Sequence, residues 1–252
     1  NFKIVGARLL QGYNRYMRKE PFAVGSFVHV MKRGARGLPI VQDESDRWRF
    51  LLMLNHFNDH FHSESWFRDL MDEKIANTLK RASSWPKKNP LVEIEAFTLM
   101  PNHFHLILKE IQERGVSKFM HKLGTGMANH ANAKYKEKGS LFQGPYKCRT
   151  ISNDSYFRYV GVYVMVKNTF ELFPGGFDKA CISFDNAWEW AINYSFSSLG
   201  HYAEIFDSPV IINSFIKELF PTPKEFKNFS RDFLLGRSET SPEELENELE
   251  ML

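Results

Sequence analysis

Hydrophobic and polar positions along the chain change period several times, and each change marks an element. Gly25 to Arg33 alternates with the two-residue period of a strand and stops at Gly34. From Gln42 to about Phe61, Phe50, Leu51, Leu54 and Phe57 recur at helical spacing, with Asp43 near the start. Trp66 to Ser84 reads as a further helix or helical insertion, closed by the Pro-rich basic loop Trp85–Pro90. Two strands follow, about Val92 to Leu99 and His103 to Lys109, joined tightly at Pro101-Asn102. Helical spacing returns from Val116 to about Lys136 through Phe119, Met120, Leu123, Met127 and Ala131. Leu141 to Ile151 predicts a fourth strand with a Gly144-Pro145 irregularity, and Asn153-Asp154-Ser155 offers caps for a helix from Tyr156 to about Asn168. Beyond Pro174-Gly175-Gly176 the pattern weakens, although Trp188 to Tyr202 and Pro209 to Leu235 keep helical spacing and are expected to pack on the core.

The pattern is most informative at Met100-Pro101-Asn102-His103-Phe104-His105-Leu106-Ile107-Leu108. Successive side chains of a strand point to opposite faces, so His103 and His105 share one face while Phe104, Leu106 and Leu108 face a core. Two adjacent imidazoles can bind one divalent cation, although two ligands alone do not make a metal site. His29 is placed to face the same side from the first strand, but a lone strand histidine is more often structural. On the last predicted helix, Tyr159, Tyr163 and Lys167 are four apart and form one stripe.

Composition narrows the class without naming it. Apolar residues make up 43% and 23 residues are Phe, enough to build a core and to exclude general disorder. A net charge of +3 is compatible with nucleic acid but does not establish it. Cys148 and Cys181 lack any Cys-x-x-Cys spacing, which argues against a disulfide scaffold and for a reducing cytoplasm. With no apolar run of about 20 residues, a soluble intracellular protein is expected. The segment before Gly25 is basic and aromatic (Arg8, Tyr13, Arg15, Tyr16, Arg18, Lys19), and Glu239 to Leu252 is acidic.

Met-Pro-Asn-His-x-His followed by aliphatic residues resembles the histidine-hydrophobic-histidine motif of single-strand DNA nucleases, in particular the IS200-like and REP-associated tyrosine transposases. Leu141-Phe142-Gln143-Gly144, followed by Tyr146 and Lys147, is a further match, and Ser195-Phe196-Ser197-Ser198-Leu199 resembles the family's C-terminal segment. The resemblance covers roughly residues 25–177. It implies an α+β fold: a ferredoxin-like antiparallel sheet with helices on one face and the paired histidines on a central strand. The order of predicted elements supports that independently. The implied division is a basic arm (1–24), a transposase domain (25–177), a helical C-terminal extension packed on the core (178–236) and an acidic tail (237–252).

The resemblance implies a metal-dependent single-strand DNA endonuclease and strand transferase acting at DNA hairpins through a 5′-phosphotyrosine. It assigns His103 and His105 to Mg²⁺ or Mn²⁺ and the nucleophile to Tyr163, with Tyr159 as fallback. Related enzymes place Gln or Asn one turn after the tyrosine as a third ligand. Here that position is Lys167, so either a local helix adjustment brings Asn168 to the metal or the third ligand lies elsewhere. Lys167 is then expected to contact phosphate or help deprotonate Tyr163. Met127 and His130 also depart from the family, which often has aromatics there. Lys118, Lys122, Lys134, Lys147 and Arg149 are candidate DNA contacts, with a solvated helix face as the competing reading for the helical lysines. The expected protein is a cytoplasmic, nucleoid-associated monomer or homodimer. The alternative is an inactive hairpin-binding relative whose metal site Lys167 has spoiled. A third class, a zinc hydrolase using His56, His60 or His62, lacks the Glu of the zinc-protease helix.

Overall fold

The computed structural model describes residues 23–211 and 215–237. The basic arm up to residue 22 and the acidic tail from residue 238 therefore lie outside the described residues. Strands β1 (Phe27–Arg33), β2 (Val92–Leu99), β3 (His103–Glu110) and β4 (Lys147–Ile151) form one sheet in the order β2-β3-β1-β4, every pair antiparallel. The helices are α1 (Glu44–Phe57), α2 (Trp66–Asp72), α3 (Gly115–Tyr135), α4 (Asp154–Val162), α5 (Asn168–Glu171), α6 (Gly176–Ile182), α7 (Phe184–Ala191), α8 (Leu199–Tyr202), α9 (Phe215–Leu219) and α10 (Pro223–Leu234). This is the ferredoxin-like α+β order, with β3 and β1 as the central strands.

Local chemistry sets where the first helix starts and stops. Asp43 accepts the backbone N–H of Asp46, and Asp46 returns a carboxylate oxygen to the backbone of Asp43, a reciprocal cap. Helix α1 ends at Phe57, short of the expected Phe61, because Asn58 leaves helical backbone geometry and bonds elsewhere. Its Oδ1 accepts from Leu91 and Val92 N–H at 3.0 Å each, and its Nδ2 donates to the Val92 carbonyl, fastening the helix end to the start of β2. The expected helix from Trp66 to Ser84 is likewise shorter, ending at Asp72. Lys74 then takes a left-handed backbone conformation, and the Glu73 carboxylate holds Ser83 N–H, so the chain turns back instead of continuing.

Helices pack on both faces of the sheet, not on one. Phe104, Leu106 and Leu108 of β3, with Val28 and Val30 of β1, are fully buried against the α1 and α3 layer, where Phe50 meets Phe104 at a ring separation of 5.3 Å. A Cβ at Gly126 of α3 would overlap the Phe57 ring, so glycine there permits the close α1–α3 approach. The opposite face carries Phe27, His29, Met31 and Arg33 beside His103, His105, Ile107 and Lys109. Phe27 stacks on Phe215 and meets Phe157 edge-on, at 5.0 and 4.9 Å, so α4 and the C-terminal helices cover this second face.

The outer edge of β2 is sealed by a late segment. Leu99 N–H donates to the Phe196 carbonyl and Ser198 N–H to the Phe97 carbonyl, both at 2.9 Å, while Thr98 and Ser197 face each other through their hydroxyls. A buried acid ties the same strand to α9: Glu95, at a bulge in β2, accepts Phe215 N–H at 2.9 Å. Among the described residues the main core runs from Val28 to Leu234, with a smaller cluster of Leu52, Leu70 and Ala82 beside it. Among the described residues, no helix is long and apolar enough to cross a membrane.

Candidate active site

The paired histidines sit on the sheet face covered by α4, with ring centroids 5.0 Å apart and planes nearly perpendicular. The turn before them is pinned: the Pro101 carbonyl accepts Ile40 N–H and the Asn102 carbonyl accepts Gly34 N–H, at 2.8 and 2.7 Å. From that turn the Asn102 side-chain oxygen reaches His103 Nδ1 at 2.7 Å. His105 Nδ1 lies 2.9 Å from His29 Nε2, contributed by the neighbouring strand. Each Nδ1 is thus engaged, so a ligand binding either ring would meet Nε2.

Burial keeps these rings neutral. It pushes His29 down to about 3 and His103 to about 4, with Arg33 and Lys167 adding to the effect on His103. Burial also holds His105 well below its ordinary value, reinforced by its charged and imidazole neighbours. Neutral imidazole is the form that donates a lone pair to a metal.

The tyrosine helix completes the site. Asn153 caps it by accepting Tyr156 N–H at 2.8 Å, and α4 runs to Val162. Tyr163–Lys167 then forms a π-helical turn, in which Asn168 N–H donates to the Tyr163 carbonyl, before α5 resumes the α-helix. Tyr163 is buried, its ring 5.6 Å from His105 and 6.0 Å from His29. Lys167 places Nζ 5.1 Å from the Tyr163 ring centroid and 2.6 Å from Glu171. The wide turn brings the i+5 residue, Asn168, toward the face of residue i, where an α-helix would place i+4. Tyr159 points elsewhere, packed 5.3 Å from both Phe229 and Phe233 of α10.

Two neutral imidazoles and a carboxamide one π turn from Tyr163 suit a divalent cation. His103 and His105 would hold it through Nε2, with Asn168 as the candidate third donor. Among the described residues, no group of three His, Cys, Asp or Glu side chains is arranged to hold a metal, so the remaining ligands would be water or phosphate oxygens.

The predicted basic residues separate into two groups. Lys147 and Arg149 pair in register with Met31 and His29, which places them on the histidine face, and Lys118 is exposed on α3. Lys134 instead binds Asp43 and Asp46 at 2.6 and 2.7 Å, and Lys122 donates to the carbonyls of Asp59 and Phe61. Arg33, opposite His103, was not singled out by the sequence, although it occupies the same alternating row as His29. The zinc candidates are dispersed. His56 is buried beside Trp85 and Trp66, His60 lies beyond the helix and bonds Gln112 at 2.6 Å, and His62 packs near Phe57.

The fold thus carries a histidine pair beneath a tyrosine-bearing helix. Residues 63–167 match the model of the family described as IS200-like transposase. The resemblance carried by Met100–Leu108 and Leu141–Lys147 is thereby borne out over the segment that holds the histidines and Tyr163. No curated protein matches the chain. Among solved structures, a REP-associated tyrosine transposase bound to a REP hairpin is similar at 12% identity and a TM-score of 0.42, covering 79% of this chain and 92% of that one.

Proposed function

We propose that the protein is a tyrosine transposase, a single-strand DNA endonuclease and strand transferase that acts beside DNA hairpins. The observation that supports this reading best is the placement of Tyr163 against His105 across the helix–sheet interface. In the proposed step the Tyr163 oxygen attacks a backbone phosphorus and the bond to the 3′-oxygen breaks. A 5′-phosphotyrosine forms, and the phenol's proton ends on the departing 3′-hydroxyl. Attack on that link by another 3′-hydroxyl reverses the exchange and completes strand transfer, with no external energy source.

A phenol, ordinarily titrating at about 10, needs help to act as a nucleophile. Lys167, close to the Tyr163 ring, favours the phenolate, and Glu171 orients its ammonium. A divalent cation at His103 and His105 would polarise the phosphate and stabilise the charge that builds there. Arg33, Lys147 and Arg149 lie on the same sheet face to meet the DNA backbone.

The test uses labelled hairpins from the gene's own flanks with Mn²⁺, comparing wild type with Tyr163→Phe on a denaturing gel. A covalent protein–DNA band lost in the variant is expected. Hairpin binding with no band in either protein would replace this reading with the second one, a non-catalytic binder, which the ammonium of Lys167 beside the site favours.

A further inference from the structure

We propose that His29 is a positioning residue for His105: its Nε2 accepts the Nδ1 proton of His105 and thereby aims the opposite ring nitrogen at the cation and scissile phosphate. The inference rests on the cation-assisted reading above.

Three observations converge on His29. First, its Nε2 and His105 Nδ1 stand 2.9 Å apart, with the rings stacked at a centroid separation of 5.1 Å, so the contact joins β1 to β3 on the histidine-bearing face. Second, His29 is fully buried, and its own Nδ1 has no hydrogen-bond partner. An apolar residue would fill the space without desolvating two ring nitrogens, so the polar group is explained by its one partner, His105. Third, the neighbouring ligand candidate is held with the same polarity. Asn102 donates through Nδ2 to the Gly37 carbonyl, which turns its Oδ1 to accept from His103 Nδ1. On both strand histidines Nε2 then stays outside these bonds.

Only one proton fits between His29 and His105. A cation on His105 Nε2 requires that proton to sit on Nδ1, and His29 is the acceptor in place to receive it. His29 then carries its remaining proton on the unpartnered Nδ1. That buried, unbonded N–H is tolerated only because the bond at its other end orients a ligand. Metal-bound histidines commonly depend on such an acceptor, and losing it weakens metal binding by about 10- to 100-fold.

The experiment measures Mn²⁺ affinity by electron paramagnetic resonance for wild type, His29→Gln and His29→Leu, alongside ¹⁵N spectra of the Mg²⁺-saturated wild-type imidazoles. Gln keeps an acceptor oxygen and Leu removes it. Expected results are a roughly 10- to 100-fold loss in His29→Leu, largely restored in His29→Gln, and His105 protonated at Nδ1. Equal weakening in both variants would assign the loss to packing and overturn the proposal, as would unchanged affinity in His29→Leu. If His29→Leu fails to fold, the wild-type spectrum decides: a proton on His29 Nε2 donated to His105 in the loaded protein overturns it. Absence of Mn²⁺ binding in wild type would sink the cation reading itself, and this proposal with it, a result distinct from all the others.

Discussion

The backbone N–H of Asn168 donates to the carbonyl of Tyr163, five residues earlier, so the helix gains one residue where the candidate nucleophile sits. In an uninterrupted α-helix Lys167 would occupy the turn below Tyr163. With the π turn, the lysine lies over the Tyr163 ring and pairs with Glu171, while the buried Asn168 carboxamide follows and donates to the Val164 carbonyl.

The two neighbours should therefore separate by function. Asn168→Ala is expected to weaken Mn²⁺ binding by about tenfold. Lys167→Ala should leave that affinity close to wild type but slow adduct formation by about a hundredfold, the lower range for loss of one electrostatic donor. Titration and single-turnover gels measure the two effects, and a reversed pattern would exchange the roles.

Tyr159→Phe should form the covalent adduct at the wild-type rate. Its ring packs between Phe229 and Phe233, contacts that phenylalanine preserves. A variant unable to form adduct would move the nucleophile one turn toward the N-terminus.

Acid should unfold the protein through its buried histidines. His29 and His103 are lowered to about 3 and 4 when folded, so the unfolded chain, with histidines near 6.5, binds more protons below that value. Their contribution is fully present above about 6.5 and is lost as pH falls toward the folded values, on the order of 1–2 kcal/mol per ring between pH 7 and 5. Urea midpoints across that range should fall, and less steeply in His103→Leu. A flat profile would place these rings in contact with water.

Glu95 acts in the opposite direction. Burial raises it to about 7, an effect that Phe215 N–H opposes and Glu93 reinforces. Its folded value lies above the unfolded one, so the contribution of its protonated form is complete below about 4.5 and is lost as pH rises through 7. Glu95→Gln, which keeps an oxygen for Phe215 N–H, should be more stable than wild type at pH 8 by on the order of 1–3 kcal/mol and indistinguishable at pH 4.5. Calorimetry at both values checks this; equal gains at both would exclude ionisation as the cause.

What the sequence revealed was local in origin. His103 and His105 were readable because a two-residue period puts them on one face, and the Tyr159–Tyr163–Lys167 stripe because helical spacing does the same. Features that were missed, or in the case of His29 read as merely structural, depend on partners distant in the chain. His29 acquires meaning only when β1 pairs with β3. The end of α1 depends on Asn58 finding the start of β2, and Lys134 is drawn to Asp43 and Asp46 across the α1–α3 contact. The π turn has no counterpart in side-chain periodicity, since its signature is a backbone bond.

The seal on β2 links the chemistry to the order of synthesis. A ribosome delivers β1 to β4 and Tyr163 well before Phe196 and Ser198, the residues that occupy the outer amide and carbonyl of Leu99 and Phe97. A nascent chain arrested after Phe177 holds every candidate catalytic side chain yet has an unfinished sheet next to the histidine strand, with a bare edge that invites pairing with another copy. On the proposed reading, adduct formation is then expected only once residues 196–198 have sealed β2. Purified, released chains ending at residues 177 and 237, compared for adduct formation, would test it: activity already present in the shorter chain refutes the timing.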